Sequence, residues 1–224
     1  MVDADAIIDD AARDGSAAIP VLTAFFARAK DIDAKQQAAS NLVILGDKEP
    51  LYWNFLMEQA RAAVESNPPF PSMFAKQPSQ GQAGMSPEMA AWVKARGLAP
   101  EAAMEVALTL NWRLIRMART GDPRGAPVLE RALDSRSIFF KATAVMGFAA
   151  ARQVSAIPLI LNECKRSPTQ DDARLIAAGL PFFHDPEADR GYLWYFSAED
   201  LEQQKKHIGT NPWQIPTAHA VERD

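Results

Sequence analysis

The chain has 224 residues, 48% of them hydrophobic and 23% charged, a balance that supports a buried core and excludes an intrinsically disordered protein. Its 24 Lys and Arg against 28 Asp and Glu leave a formal charge of −4, so no overall positive field draws it onto a phosphate backbone or an anionic lipid surface. Cys164 is the single cysteine, which excludes an intrachain disulfide and a cysteine-built zinc site and reads as a small buried hydrophobe.

The opening stretch MVDADAIIDDAARDG is acidic and carries no long apolar run, so it reads as neither a signal peptide nor a membrane span. The expectation is a cytoplasmic protein, or an exported, periplasmic one if a leader has been trimmed. Ile19-Pro20-Val21-Leu22 then opens a helical unit that closes at the Gly46-Asp47 turn. In PLYWNFLMEQARAAVE, residues 50–65, Tyr52, Leu56, Ala60 and Ala63 fall on one helical face. The next stretch, SNPPFPSMFAKQPSQGQAGMSPE, is too rich in proline and glycine to hold a regular element. A short helix follows, with Ser86 as cap, Pro87 in its first turn and Gly97 as its stop. Residues 100–120 form another, with a polar stripe of Glu101, Glu105, Thr109, Arg113, Arg116 and Thr120.

After the Gly121-Asp122-Pro123 turn, APVLERAL places Val128, Leu129, Ala132 and Leu133 on one face of a first helix. Alanine-rich second helices are expected at 140–151 and 172–183, where small side chains admit close packing. No alternating Val/Ile/Thr run of strand length occurs between turn residues, so the fold class is all-α.

The units repeat. Ala126-Pro127-Val128-Leu129 is echoed by Ile157-Pro158-Leu159-Ile160, with the prolines 31 residues apart, and by Ile19-Pro20-Val21-Leu22. Gly121-Asp122-Pro123-Arg124-Gly125-Ala126-Pro127-Val128-Leu129, followed by Phe140-Lys141-Ala142-Thr143-Ala144-Val145-Met146-Gly147-Phe148, resembles a short HEAT repeat of the type found in phycobilisome lyases. The resemblance covers residues of about 14–46, 121–151 and 152–183. It implies a right-handed α-solenoid of about four to five helical hairpins whose second helices line a concave face. Residues 1–208 would form this single domain, with an insertion at 66–99 inside the second repeat, and 209–224 an extended or disordered tail. Phe148, Leu180 and Leu42 occupy one register position in three repeats and are expected to be buried between second helices.

The Gly-Asp-Pro turn lacks the third glycine and the Lys-Ser/Thr pair of a phosphate-binding loop, and no strand precedes it; it reads as a repeat turn. His184, Asp185, Glu187 and Asp189 crowd one turn and read as helix-capping groups facing water rather than metal ligands. Tyr192, Trp194, Tyr195 and Phe196 read as a cap on the last repeat, followed by a polar helix. The chain holds no His-Glu pair of the kind the HEAT-repeat iron hydroxylases use. HEAT-like DNA glycosylases share the architecture, with Trp112 and Glu105 as conceivable counterparts, but the acidic charge argues against nucleic acid.

Interaction residues are therefore sought on the inner face, at Arg113, Arg116, Lys141 and Arg174, and in the insertion, at Phe70, Phe74 and Trp92. The arginines from 113 to 131 are expected to pair locally with Glu105, Asp122 and Glu130. Phe70 and Trp92 are expected to fold back on helices 50–65 and 100–120 as one wall of a groove. The function expected is a non-catalytic protein–protein interaction scaffold with no catalytic residue, metal or cofactor. The phycobilisome-lyase resemblance implies a tetrapyrrole lyase or chaperone as the alternative. The partner is a protein, without nucleic acid or a membrane span; the chain is expected to be a monomer or to self-associate weakly, and the thin cover over the first repeat predicts either an upstream segment or self-association there.

Overall fold

The computed structural model describes Ile8 and residues 11–70, 72 and 86–183. Among these every regular element is helical: α1 (Ile19–Arg28), α2 (Ile32–Ile44), α3 (Pro50–Ser66), α4 (Pro87–Ala95), α5 (Ala103–Ala118), α6 (Ala126–Leu133), α7 (Ile138–Ala150), α8 (Ile157–Arg166) and α9 (Gln170–Ala177). Short 3-10 turns precede α1, α5, α6 and α8, and a further one, Leu180–Phe183, follows α9.

Local chemistry sets the helix ends. Proline sits in the first turn of α1, α3, α4, α6 and α8, where its missing N–H leaves no bond unmade. Asp31, Ser86 and Thr169 cap α2, α4 and α9, their side chains accepting from Ala34 N, Met89 N and Asp172 N. The Gly-Asp-Pro turn is a 3-10 start: Asp122 Oδ1 accepts Arg124 N at 2.9 Å, so a carboxylate fills the amide position a phosphate would need. Gly121 reaches φ +63, and a Cβ there would sit 2.8 Å from the Ala150 carbonyl oxygen. No other residue type fits that approach.

The helices pack as hairpins: α1 on α2, α3 on α5, α6 on α7 and α8 on α9. Second helices meet in sequence, α2 on α5, α5 on α7 and α7 on α9, and α3 also meets α6. One main core runs through these hairpins from Ile8 to Phe183. Tyr52, Leu56, Ala60 and Ala63 are buried, as are Val128, Leu129, Ala132 and Leu133, so the faces read from periodicity are the core faces. Close approach depends on small residues. An added Cβ at Gly147 would lie within 2.9 Å of Leu129 and Ala118 side-chain atoms.

The last hairpin corrects the expected register. Leu42 and Phe148 are fully buried, but α9 ends at Ala177, and Leu180 lies in the following 3-10 turn, only partly buried. Pro181 disfavours helical geometry at the residue before it, so the run 172–183 breaks there. Ile176 holds the fully buried position instead.

Within the region 66–99, α4 builds a second small cluster in which Met89, Trp92, Val93 and Ala103 are buried against Phe70, Leu98, Val106 and Leu110. Trp92 Nε1 donates to the Ser66 carbonyl at 2.9 Å, satisfying an open carbonyl at the end of α3. The histidines and the aromatic run 192–196, together with the expected tail, lie outside the described residues, as does Phe74.

Candidate functional site

The polar groups expected on an inner face converge on the seam between α2 and α5. Asp33, Gln36, Gln37, Ser40 and Asn41 recur every three to four residues and so share one side of α2. Facing them, Arg113 Nε and Arg116 Nη1 each reach Asp33 Oδ1 at 3.1 Å. Arg116 Nε donates to Gln37 Oε1 at 2.9 Å and Arg119 Nη2 to Asn41 Oδ1 at 2.6 Å. Two α2 side chains donate to α5 backbone carbonyls, Gln36 Nε2 to Arg113 O and Ser40 Oγ to Arg116 O, both at 2.7 Å. Partner numbers rise together along both helices, so α2 and α5 run parallel. Arg116 is 4% exposed, and its charge is held between helices rather than offered to solvent. Arg113 keeps a partly open edge.

The other cations named from sequence are paired as well. Lys141 Nζ on α7 binds Glu163 Oε1 on α8, and Arg166 Nη1 reaches the second carboxylate oxygen of Glu163 at 3.2 Å. Arg174 pairs with Asp171 one helical turn away at 3.0 Å, with both side chains in solvent. Lys141 and Arg174 thus make ion pairs separate from those of the α2–α5 seam. Of the local partners expected for the arginines, Asp122 takes Arg124; its carboxyl is held below the usual carboxylate range, first by the Arg124 side-chain hydrogen bond. Arg124 also lies over the Trp53 ring, 4.8 Å from its centroid.

Phe70 and Trp92 are brought into the same small cluster, Trp92 buried and Phe70 half-buried, between α4, α5 and the start of α7. The Phe70 ring lies 5.7 Å from that of Phe139. Trp92 is buried against α5 and the end of α3 as expected, whereas Phe70 stays half-buried and its ring turns to Phe139 of α7, outside the two helices expected to cover it.

A row on α5 stood outside the residues singled out as interaction sites. Met104, Leu108 and Trp112 follow at i, i+4 and i+8, opposite the Ala103–Leu110–Met117 side that packs inward. Trp112 is 51% exposed and Met104 47%. Ile32, 46% exposed, and Trp112 each directly precede in sequence one member of the Asp33–Arg113 pair. The spacing was readable, but the polar stripe beside it drew the reading toward charge.

Chemically, the seam offers fixed hydrogen bonding and an aromatic surface. Cys164, read from the sequence as a small buried hydrophobe, is half-buried, its thiol pushed up by burial and, secondarily, by the charge of Glu163, which works against thiolate formation. Among the described residues no group of three or more His, Cys, Asp or Glu side chains is placed to hold a metal ion, and no helix is long and apolar enough to cross a membrane.

Compared with models of known protein families, with curated proteins and with solved structures, the chain matches none.

Proposed function

We propose that the hairpins form a right-handed α-solenoid of HEAT-like repeats and that the chain is a non-catalytic interaction scaffold binding a protein partner along the open face of α5. The sequential contacts of second helices support the stacking, since each such helix meets that of the next hairpin. The observation that carries the function is the half-exposed pair Met104 and Trp112, with the partly buried Leu108 between them, on a helix whose polar flank is locked to α2. A large aromatic on a rigid element, beside a fixed ion pair, loses little entropy on binding and fills a partner's pocket. The cluster around Phe70 and Trp92 packs on the opposite side of α5, at Ala103, Val106 and Leu110, and backs the helix behind that row.

The test pairs two immobilised baits, the native chain and Trp112→Ser, against proteins of the native host. A protein retained by the first and lost by the second, with both baits melting at one temperature, supports the reading; truncating such an anchor costs about 2 kcal/mol or more, roughly thirty-fold in affinity. Equal retention by both baits, or no protein retained by either, overturns it.

A further inference from the structure

A second surface, away from the α5 row, already has a peptide seated on it: the chain's own residues 67–70 and 72. Asn67 leaves α3 in the left-handed conformation, φ 43 and ψ 60, and its Oδ1 accepts Arg136 N at 2.9 Å. Pro68 and Pro69 are buried. The Phe70 amide turns back onto Pro68 O at 3.0 Å, while its carbonyl accepts Ile138 N, the first amide of α7, at 2.8 Å. Its ring rests on Phe139. Ser72 then reaches across 100 residues of sequence to give its hydroxyl to Asp172, a fully buried carboxylate in the first turn of α9 that also takes the Thr169 hydroxyl at 2.6 Å. The segment therefore follows a track along the N-terminal ends of α7 and α9, held by backbone amides, an aromatic contact and a buried carboxylate. This is how folded domains read irregular, proline-containing peptides.

An independent observation marks the track as incompletely filled. Ser137, at the cap position of α7 beside the seated Phe70 carbonyl, is fully buried, makes no side-chain cap, and its hydroxyl has no hydrogen-bond partner among the described residues. A buried hydroxyl left unpaired is costly, and at a helix N-terminus the group that relieves it is an acceptor.

We propose that this track is a docking site for a Pro-Pro-aromatic peptide segment of a partner protein, which supplies an acceptor to Ser137, and that residues 67–70 and 72 are its intramolecular occupant, displaced when the partner binds. The proposal does not rest on the α5 face. Prolines preset the backbone of both competitors, so little entropy separates them. The tethered segment competes at an effective concentration in the millimolar range, which keeps the site closed to weak ligands.

The experiment uses a fluorescent peptide of this chain's residues 66–73, Ser-Asn-Pro-Pro-Phe-Pro-Ser-Met, and reads anisotropy on the full chain. The release variant is Asn67→Gly with Phe70→Ser. Phe70→Ser alone keeps the Asn67 turn and its bond to Arg136 N while taking the ring off Phe139, and makes the same comparison should the double variant lose helical signal. Binding at least ten-fold tighter to a release variant than to the native chain, abolished by adding Phe139→Ser and unchanged by adding Trp112→Ser, is the expected result. No binding to a helical release variant, binding equal to that of the native chain, or binding that survives Phe139→Ser overturns the proposal. Loss of binding through Trp112→Ser overturns it too, by moving the peptide to the α5 face.

Discussion

Ser40 Oγ donates to the carbonyl oxygen of Arg116 at 2.7 Å, joining residues 76 apart in sequence and fully enclosed between α2 and α5. That bond belongs to a seam of polar side chains between α2 and α5, which joins the first and second hairpins alongside the aromatic contacts of Phe26 with Tyr52 and Phe55. A buried polar seam is directional: it holds only when Asp33, Gln37 and Arg116 share one register. The α5 face beside it, with Trp112, takes its orientation from that register.

Arg116→Met keeps the volume of the side chain and removes the charge. Gln37 Oε1 loses its donor and Asp33 keeps only Arg113 of the pair, so destabilisation of about 1 to 3 kcal/mol is expected. Arg113→Met removes the more exposed partner and costs less than about 1 kcal/mol. Urea unfolding of both variants checks the order; an equal or reversed ranking contradicts a buried role for Arg116.

Gly147→Ala separates helix propensity from packing. In an open helix the change stabilises by about 1 kcal/mol, because glycine loses more backbone entropy. Here the new Cβ would lie 2.8 Å from Leu129 Cδ2 and 2.9 Å from Ala118 Cβ, so α7 must move off α5 and α6. Overpacking of this kind costs about 1 to 3 kcal/mol, and the net sign is expected to be destabilising. A raised melting temperature would show that α7 sits farther from its neighbours.

The particular residues show why some of this was legible. Ser86, Pro87 and Gly97 frame α4 as their types require, because capping is local chemistry. The Arg113–Asp33 pair spans 80 residues, and spacing along one helix points only to neighbours such as Glu105. Leu180 was misplaced although Pro181 stood beside it; the apolar run outweighed the break. Leu42→Ala and Phe148→Ala are each expected to cost about 2 to 5 kcal/mol, and Leu180→Ala distinctly less because it is only partly buried. Equal costs for all three would restore the equivalent register in thermal unfolding.

Asp122 gives a pH dependence with a definite sign. Its carboxyl is lowered below the usual carboxylate value of 3.8 mainly by the Arg124 hydrogen bond, so the ionised form adds stability above that value. The contribution falls away as pH drops through the lowered value. Asp122→Asn keeps an acceptor for Arg124 N but not the charge, and with Arg124 largely in solvent the loss at neutral pH is a few tenths of a kcal/mol up to about 1. The gap in melting temperature between native chain and variant is expected to close on acidification. A gap that widens would reverse the assignment.

The small cluster around Trp92 predicts where the fold opens first. Met89, Trp92, Val93 and Ala103 are buried among themselves and apart from the main core, and α4 is a helix of nine residues, too short to persist in water without that cluster. Side-chain hydrogen bonds tie it to Ser66, whose carbonyl oxygen accepts Trp92 Nε1 at 2.9 Å and Arg96 Nη2 at 2.8 Å and whose Oγ also takes Arg96 Nη2 at 3.0 Å. Opening α4 breaks those bonds and exposes a modest apolar area while leaving α7, the most enclosed helix, intact. Amides of residues 90–97 are therefore expected to exchange with lower protection than those of 142–149, at free energies well below global unfolding. Trp92→Phe retains the ring and loses the bond to Ser66, so it is expected to lower protection in 90–97 by about 1 kcal/mol with little change at 142–149. Equal protection in both stretches, falling together in Trp92→Phe, would mean that α4 unfolds only with the whole chain and that its cluster is continuous with the main core.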